Sequence, residues 1–305
     1  VLCLVSSDTK TQGLCDIEPG ALAAYQKAGY RLVFGEYQKT TYEELCRYPV
    51  VVGMMPQLHN GTRAISDNLA AALDRYMRQG GGFVLIAEPS YYTLDDFARQ
   101  LNLFLKNYDN ELVNDIPVDS RPENNLKCTR VLEYRYLKTS ALKKHPVTQN
   151  IPFIYLPLDF SNNYIRTYTM RPGKNWDILI TGEDTCRSAD SKALREGKVQ
   201  VGAYAKNPPF LAVRPVGNGY LAVFTTASQY FIADGCHWSF GDGLVLFEGN
   251  GLQLMDQLFQ FVSQHRALMP PAPPVTASAA PQAAAGNLPV IQEKTEWIDL
   301  VQSKL

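Results

Sequence analysis

Short apolar runs alternate with helical patterns through the first half of the chain. Val1–Val5, Tyr30–Phe34 and Val50–Gly53 read as buried strands, with helices predicted near Pro19–Ala28 and Tyr42–Cys46 between them. Residues 64–79 place Ile65, Leu69, Leu73 and Met77 on one helical face, and Gly80-Gly81-Gly82 stops that helix before a strand at Phe83–Ala87. A further helix is predicted over Leu94–Leu105. This alternation predicts an α/β fold: a flavodoxin-like parallel sheet flanked by helices.

The second half has a different rhythm. Residues 107–125 are polar and rich in Asn and Asp, and read as part of an excursion from the core spanning residues 106–150. Seven Tyr-, Val- and Ile-rich segments follow: 127–137, 153–158, 164–170, 176–182, 198–205, 210–216 and 220–226. They predict an antiparallel β extension grafted onto the parallel sheet, with Val216-Gly217-Asn218-Gly219-Tyr220 as a tight hairpin joining the last two. A loop rich in Gly and aromatic residues, Ser228–Gly249, leads to a helix over Leu252–His265, capped at Asn250.

Residues 1–266 therefore form one α/β domain. Residues 267–290 carry no charge and are dominated by Pro and Ala, the composition of a semi-rigid linker. Residues 291–305 place Ile291, Trp297, Ile298 and Val301 near one face of a short charged helix. It can dock on a partner, mediate self-association or begin another domain.

Composition narrows the function classes. The 305 residues carry 29 Lys and Arg against 30 Asp and Glu, so a nucleic-acid partner is not expected without the basic footprint that phosphate binding needs. No apolar run is long enough to span a bilayer. Six scattered cysteines (Cys3, Cys15, Cys46, Cys128, Cys186, Cys236) lack a Cys-x-x-Cys pair, and four histidines lack metal-ligand spacing, so neither a metal site nor a cofactor is expected. Buried thiols are the simple reading, and an even count also permits disulfides in an exported protein. The linker composition and an opening strand without a charged leader lean toward export. Asn60-Gly61-Thr62 is a glycosylation sequon relevant only in that case.

Several features coincide in order: the Gly-Gly turn after a long helix, the strand FVLIA, His145-Pro146-Val147-Thr148, the hairpin FLAVRPVGNGYLAVFTT, and the helix opening at Gly249-Asn250. Together they resemble the class I glutamine amidotransferase-like superfamily, in its trehalose-utilisation-type and β-galactosidase trimerisation-domain branches. The resemblance implies a nucleophilic Cys within Gly-x-Cys-x-Gly after the FVLIA strand. This chain has Ala87-Glu88-Pro89-Ser90-Tyr91 there, with Glu88 at or near the nucleophile position and no flanking glycines. The family's His-Pro-Glu should follow the late strand, where this chain reads Thr225-Thr226-Ala227-Ser228-Gln229. Glutaminase activity is not expected, and a non-catalytic binding or assembly module is the leading reading.

Ligands of open α/β sheets bind outside the carboxyl ends of the strands. Here those ends offer Ser7 and Asp8 with Ser6, then Gln57 and His59 with Asn60, then Glu88, Ser90 and Tyr91, then Ser228 and Gln229. Such a set could bind a small polar molecule or a sugar, or carry acid–base chemistry through His59 and Glu88 in a sugar-processing hydrolase or isomerase. An exported carbohydrate-binding component is a third reading. Against these stands the plain fact that strand-end loops are polar in any such sheet. Glu88 equally suits a structural acid paired with Arg63 or capping the next helix. Cys236-His237 is adjacent in sequence, which does not make a reactive pair. His145-Pro146 reads as a backbone-positioning element. The aromatic loop residues Tyr230, Phe231, Trp238 and Phe240 read as packing or subunit contact, with sugar stacking as the alternative.

Overall fold

The computed structural model describes residues 1–5, 19–54, 65–87, 94–129, 133–160, 164–165, 167–190, 200–226 and 250–265. The expected linker at 267–290 and helix at 291–305, with Cys236-His237 and the aromatic loop residues, lie outside these residues.

The parallel core starts with β1 (Leu2–Val5), followed by α1 (Pro19–Lys27), β2 (Val33–Glu36), α2 (Tyr42–Leu45) and β3 (Val50–Gly53). Then come α3 (Asp67–Arg78), β4 (Gly82–Ile86) and α4 (Leu94–Leu105). Ser66 starts α3 by accepting from the Leu69 N–H at 3.2 Å. Ile65, Leu69, Leu73 and Met77 are all buried, as their spacing requires.

The extension contains β5 (Asn110–Val113), β6 (Asp115–Asp119), β7 (Asn125–Thr129), β8 (Glu133–Thr139), β9 (Ile154–Phe160), β10 (Tyr164–Ile165) and β11 (Thr169–Pro172). It continues through β12 (Asp177–Thr181) and β13 (Cys186–Asp190). The chain then returns to the core with β14 (Pro209–Val216), β15 (Gly219–Phe224) and α5 (Gly251–Val262). Gly217, with φ of +60°, supplies the left-handed turn between β14 and β15.

Among the described residues the main sheet runs β12-β14-β15-β4-β3-β1-β2. The five strands from β15 to β2 are parallel, and β14 and β12 add antiparallel on the far side. This is the expected α/β architecture with an antiparallel extension. Side chains alternate along each strand: Cys3, Val52, Val84 and Phe224 face α1 and α5, whereas Leu4, Val51, Leu85 and Val223 face α3 and α4. Both faces are covered, which is why these strands read as continuous apolar runs.

Several details differ from the sequence expectation; the segment expected at 127–137 divides between two antiparallel strands, β7 and β8. The polar stretch 107–125, expected only as an excursion from the core, holds β5 and β6, paired with β11 and β13. In β6 the inward positions include Asp115 and Asp119, both buried. Their carboxylates are satisfied internally. Asp115 accepts from the Thr169 hydroxyl and, at 2.8 Å, from the Ala203 N–H; Asp119 accepts from Arg121 N and Thr185 Oγ1, each at 2.8 Å. Of the strand expected at 198–205, residues 200–205 contribute a single bridge, Val201 to Ala189; beyond it the Tyr204 N–H bonds the Ser188 hydroxyl at 2.8 Å and the Ala203 N–H bonds the Asp115 carboxylate at 2.8 Å. Asn250 does occupy the N-cap of α5, but its side chain makes no capping bond and instead donates to the Phe153 carbonyl at 2.8 Å.

Candidate functional site

The parallel register determines where the predicted site segments leave the sheet. Gly53 aligns with Leu4 and Leu85, and Phe224 aligns with Ile86. Thus β1, β3, β4 and β15 end side by side at one edge, and each candidate segment starts within a few residues of it. The candidates Ser7, Asp8, Gln57, His59, Glu88, Ser90, Tyr91, Ser228 and Gln229 themselves lie outside the described residues. So does Arg63, the suggested partner of Glu88.

The described residues directly at this edge are packed and hydrogen-bonded. Tyr37 follows β2 and is fully buried, and its hydroxyl donates to the Met54 carbonyl at 3.2 Å. A Cβ on Gly53 would lie 2.8 Å from that hydroxyl and 3.0 Å from Phe83, so only glycine lets Tyr37 sit there. Burial, with the nearby Cys3 thiol second, pushes the Tyr37 phenol well above its ordinary range. It stays a neutral donor at physiological pH.

Beyond β15 the chain is tied to the extension. The Thr225 hydroxyl donates to the Tyr168 carbonyl at 2.8 Å with the Phe210 carbonyl at 3.2 Å, and Tyr168 N–H returns a bond to the Thr225 carbonyl at 3.1 Å. Thr167 Oγ1 donates to the Pro157 carbonyl at 2.6 Å and lies 3.2 Å from Thr226 Oγ1. A hydroxyl has one proton, and that of Thr167 is committed to Pro157, so Thr226 donates to Thr167. Thr167, Thr225 and Thr226 are all wholly buried. Apolar strand patterning does not reveal this lock; the Thr225-Thr226 pair after Phe224 is its sequence trace.

A concavity lies between α4 and the β5–β11 pair. This open groove of about 910 Å³ is lined by Arg99, Lys106 and Arg171, by Asp109 and Glu111, and by several Asn side chains. Asn102 at its floor bonds the Leu112 backbone on both sides, accepting from its N–H at 2.7 Å and donating to its carbonyl at 3.0 Å. Arg171 and Glu111, cross-strand neighbours on β11 and β5, pair on its strand side at 2.7 Å. Sequence reasoning missed the groove because it placed no strand at β5, only an excursion from the core.

Among the described residues no three His, Cys, Asp or Glu side chains cluster as a metal site would require, and no helix is long and apolar enough to cross a membrane. Cys3, Cys46 and Cys186 are buried thiols. His145 has the positioning role its sequence context implies: its Nδ1 accepts from the Val147 N–H at 3.2 Å and starts the short 3-10 turn Pro146–Thr148.

No family model matches the chain, and no curated protein matches it. Among solved structures, the mmIFT52 N-terminal domain superposes with a TM-score of 0.55 at 14% identity, covering 86% of this chain and 97% of that one. ThuA-like proteins from Bacteroides uniformis and Parabacteroides merdae each give a TM-score of 0.44, at 16% and 11% identity, over 86% of this chain and 89% and 88% of theirs. At these identities the likeness is one of fold alone.

Proposed function

We propose that this chain is a non-catalytic, amidotransferase-like binding or assembly module within a larger or oligomeric protein. The observation that carries this reading is the buried threonine lock beyond β15. Where the resemblance implies a catalytic His-Pro-Glu, the chain places Thr225 and Thr226 in hydrogen bonds that join the sheet to the extension. Hydroxyls spent on buried carbonyls are structural groups, not reacting ones. Glu88-Pro89 in place of a cysteine elbow supports the same reading from sequence. The fold likeness adds support, since the mmIFT52 counterpart is itself an N-terminal domain.

In this account residues 291–305 supply the contact, with a protein partner or a second copy, and residues 267–290 set its reach. Light scattering on the full chain and on a chain ending at His265 tests it. The full chain is expected to self-associate or to bind its partner protein, and the shortened chain to remain folded without doing so. Identical monomers with no partner binding in either would contradict it. The alignment of four strand ends favours a second reading, a small polar or sugar ligand held by Asp8, His59 and Glu88. Calorimetric titration with simple sugars that gives heat in wild type and none in Glu88→Gln would support that reading instead.

A further inference from the structure

Four rings form a continuous stack at the end of the sheet opposite the candidate site. His145 packs edge-on against Phe261 of α5, with centroids 4.6 Å apart. Phe261 meets Tyr220 of β15 at 4.7 Å, and Tyr220 stacks on His265 at 5.6 Å and 27°. The two histidines at its ends use Nδ1 in opposite senses. His145 Nδ1 accepts from the Val147 N–H, so its neutral ring carries the proton on Nε2. His265 Nδ1 lies 2.6 Å from the Asn218 carbonyl, an acceptor, so there Nδ1 carries the proton. A second proton on His145 must go to Nδ1, where it destroys the bond.

We propose that His145 is an acid-released latch holding residues 145–153 of the extension beneath α5. The latch governs a defined set of contacts. Val147 is fully buried in the core shared with α5, as is most of Ile151. The Thr148 N–H bonds the His145 carbonyl at 3.0 Å, and the Ile151 N–H bonds the Thr148 carbonyl at 3.3 Å. Gln257 on α5 donates to the Gln149 carbonyl at 3.0 Å. Loss of the His145 bond frees the first link of this chain and leaves a buried N–H facing a cationic ring.

The surroundings of His145 set the direction of its response. Its own segment brings Lys143, which is paired at 2.5 Å with Asp177 of β12; α5 brings Phe261 and the Gln253 and Gln257 amides; β15 brings Tyr220, with His265 behind it. Burial holds the imidazole below its ordinary 6.5, with Asp177 opposing and Lys143 reinforcing. A histidine depressed in the folded state favours folding above its unfolded value. That contribution is lost as pH falls from 6.5 through the lower folded value.

Hydrogen–deuterium exchange on the full chain tests the latch. As pH falls below 6.5, protection of the Val147, Thr148 and Ile151 amides, corrected for intrinsic exchange, is expected to fall by up to about tenfold per pH unit while β4 holds, with little change between about pH 7.5 and 6.5. In His145→Asn the Asn Oδ1 caps the turn without titrating, so protection should be flat. His265→Gln should retain the wild-type fall. Wild-type protection that does not change with pH, or an unaltered fall in His145→Asn, overturns the proposal. Ring ¹⁵N shifts of the wild type give an independent reading: the Nε2–H tautomer at His145 supports the latch and the Nδ1–H tautomer there overturns it.

Discussion

Thr226 and Thr167 meet through buried hydroxyl oxygens 3.2 Å apart, joining the end of the last parallel strand to the antiparallel extension. The Thr167 proton continues to the Pro157 carbonyl. The pair therefore couples two parts of the chain that are distant in sequence, and it does so at the end of the sheet where β1, β3, β4 and β15 stop side by side.

Replacing Thr167 with Val preserves shape but strands the Thr226 hydroxyl and the Pro157 carbonyl. The expected loss is about 1–3 kcal/mol, the range for a buried polar group deprived of its partner. Urea unfolding should show a lower midpoint with an unchanged slope. Thr167→Ser should recover most of the loss. Equal stability of Thr167→Val and wild type would show that the hydroxyls carry no structural load.

Gly82 opens β4 against α5, and a Cβ there would lie 2.6 Å from the Val262 carbonyl oxygen and 2.6 Å from Val262 Cγ2. Backbone cannot step aside as a flexible side chain can. Gly82→Ala should lower stability by about 1–3 kcal/mol, the usual effect of overpacking, and thermal melting measures it. An unchanged melting temperature would mean that α5 does not sit as close to the sheet as described.

Cys186 is buried, and burial first, then the nearby Asp119 charge, pushes its thiol up from 9.0 to about 12. The thiolate is the reactive form, so native Cys186 should resist iodoacetamide at about pH 8 until the protein unfolds. Mass spectrometry of the alkylated protein checks this. The raised value also favours folding fully below 9.0, with that contribution lost as pH rises toward about 12. Cys186→Ala should abolish this part of the alkaline slope in denaturation curves.

How far the sequence could be read depended on what each segment buries. Runs such as Val50–Gly53 and Phe83–Ala87 bury apolar side chains on both sheet faces, so composition alone marks them as strands of a parallel sheet. The α3 helix is legible because Leu69, Leu73 and Met77 repeat at helical spacing. β6 is not legible: its inward residues include Asp115 and Asp119, whose burial depends on donors at Thr169, Thr185 and Ala203 far along the chain. Local pattern contains no trace of those partners. The edge where the site segments emerge follows from strand order, which alternation predicts. The threonine lock follows from long-range hydrogen bonds, which it does not.

The central claim is that this sheet edge is a joint and not a reaction site. Ammonia release from glutamine by the full chain tests it most directly, with Cys236→Ala beside wild type. The account predicts no release above buffer for either protein. Sustained release by wild type that Cys236→Ala abolishes would contradict it.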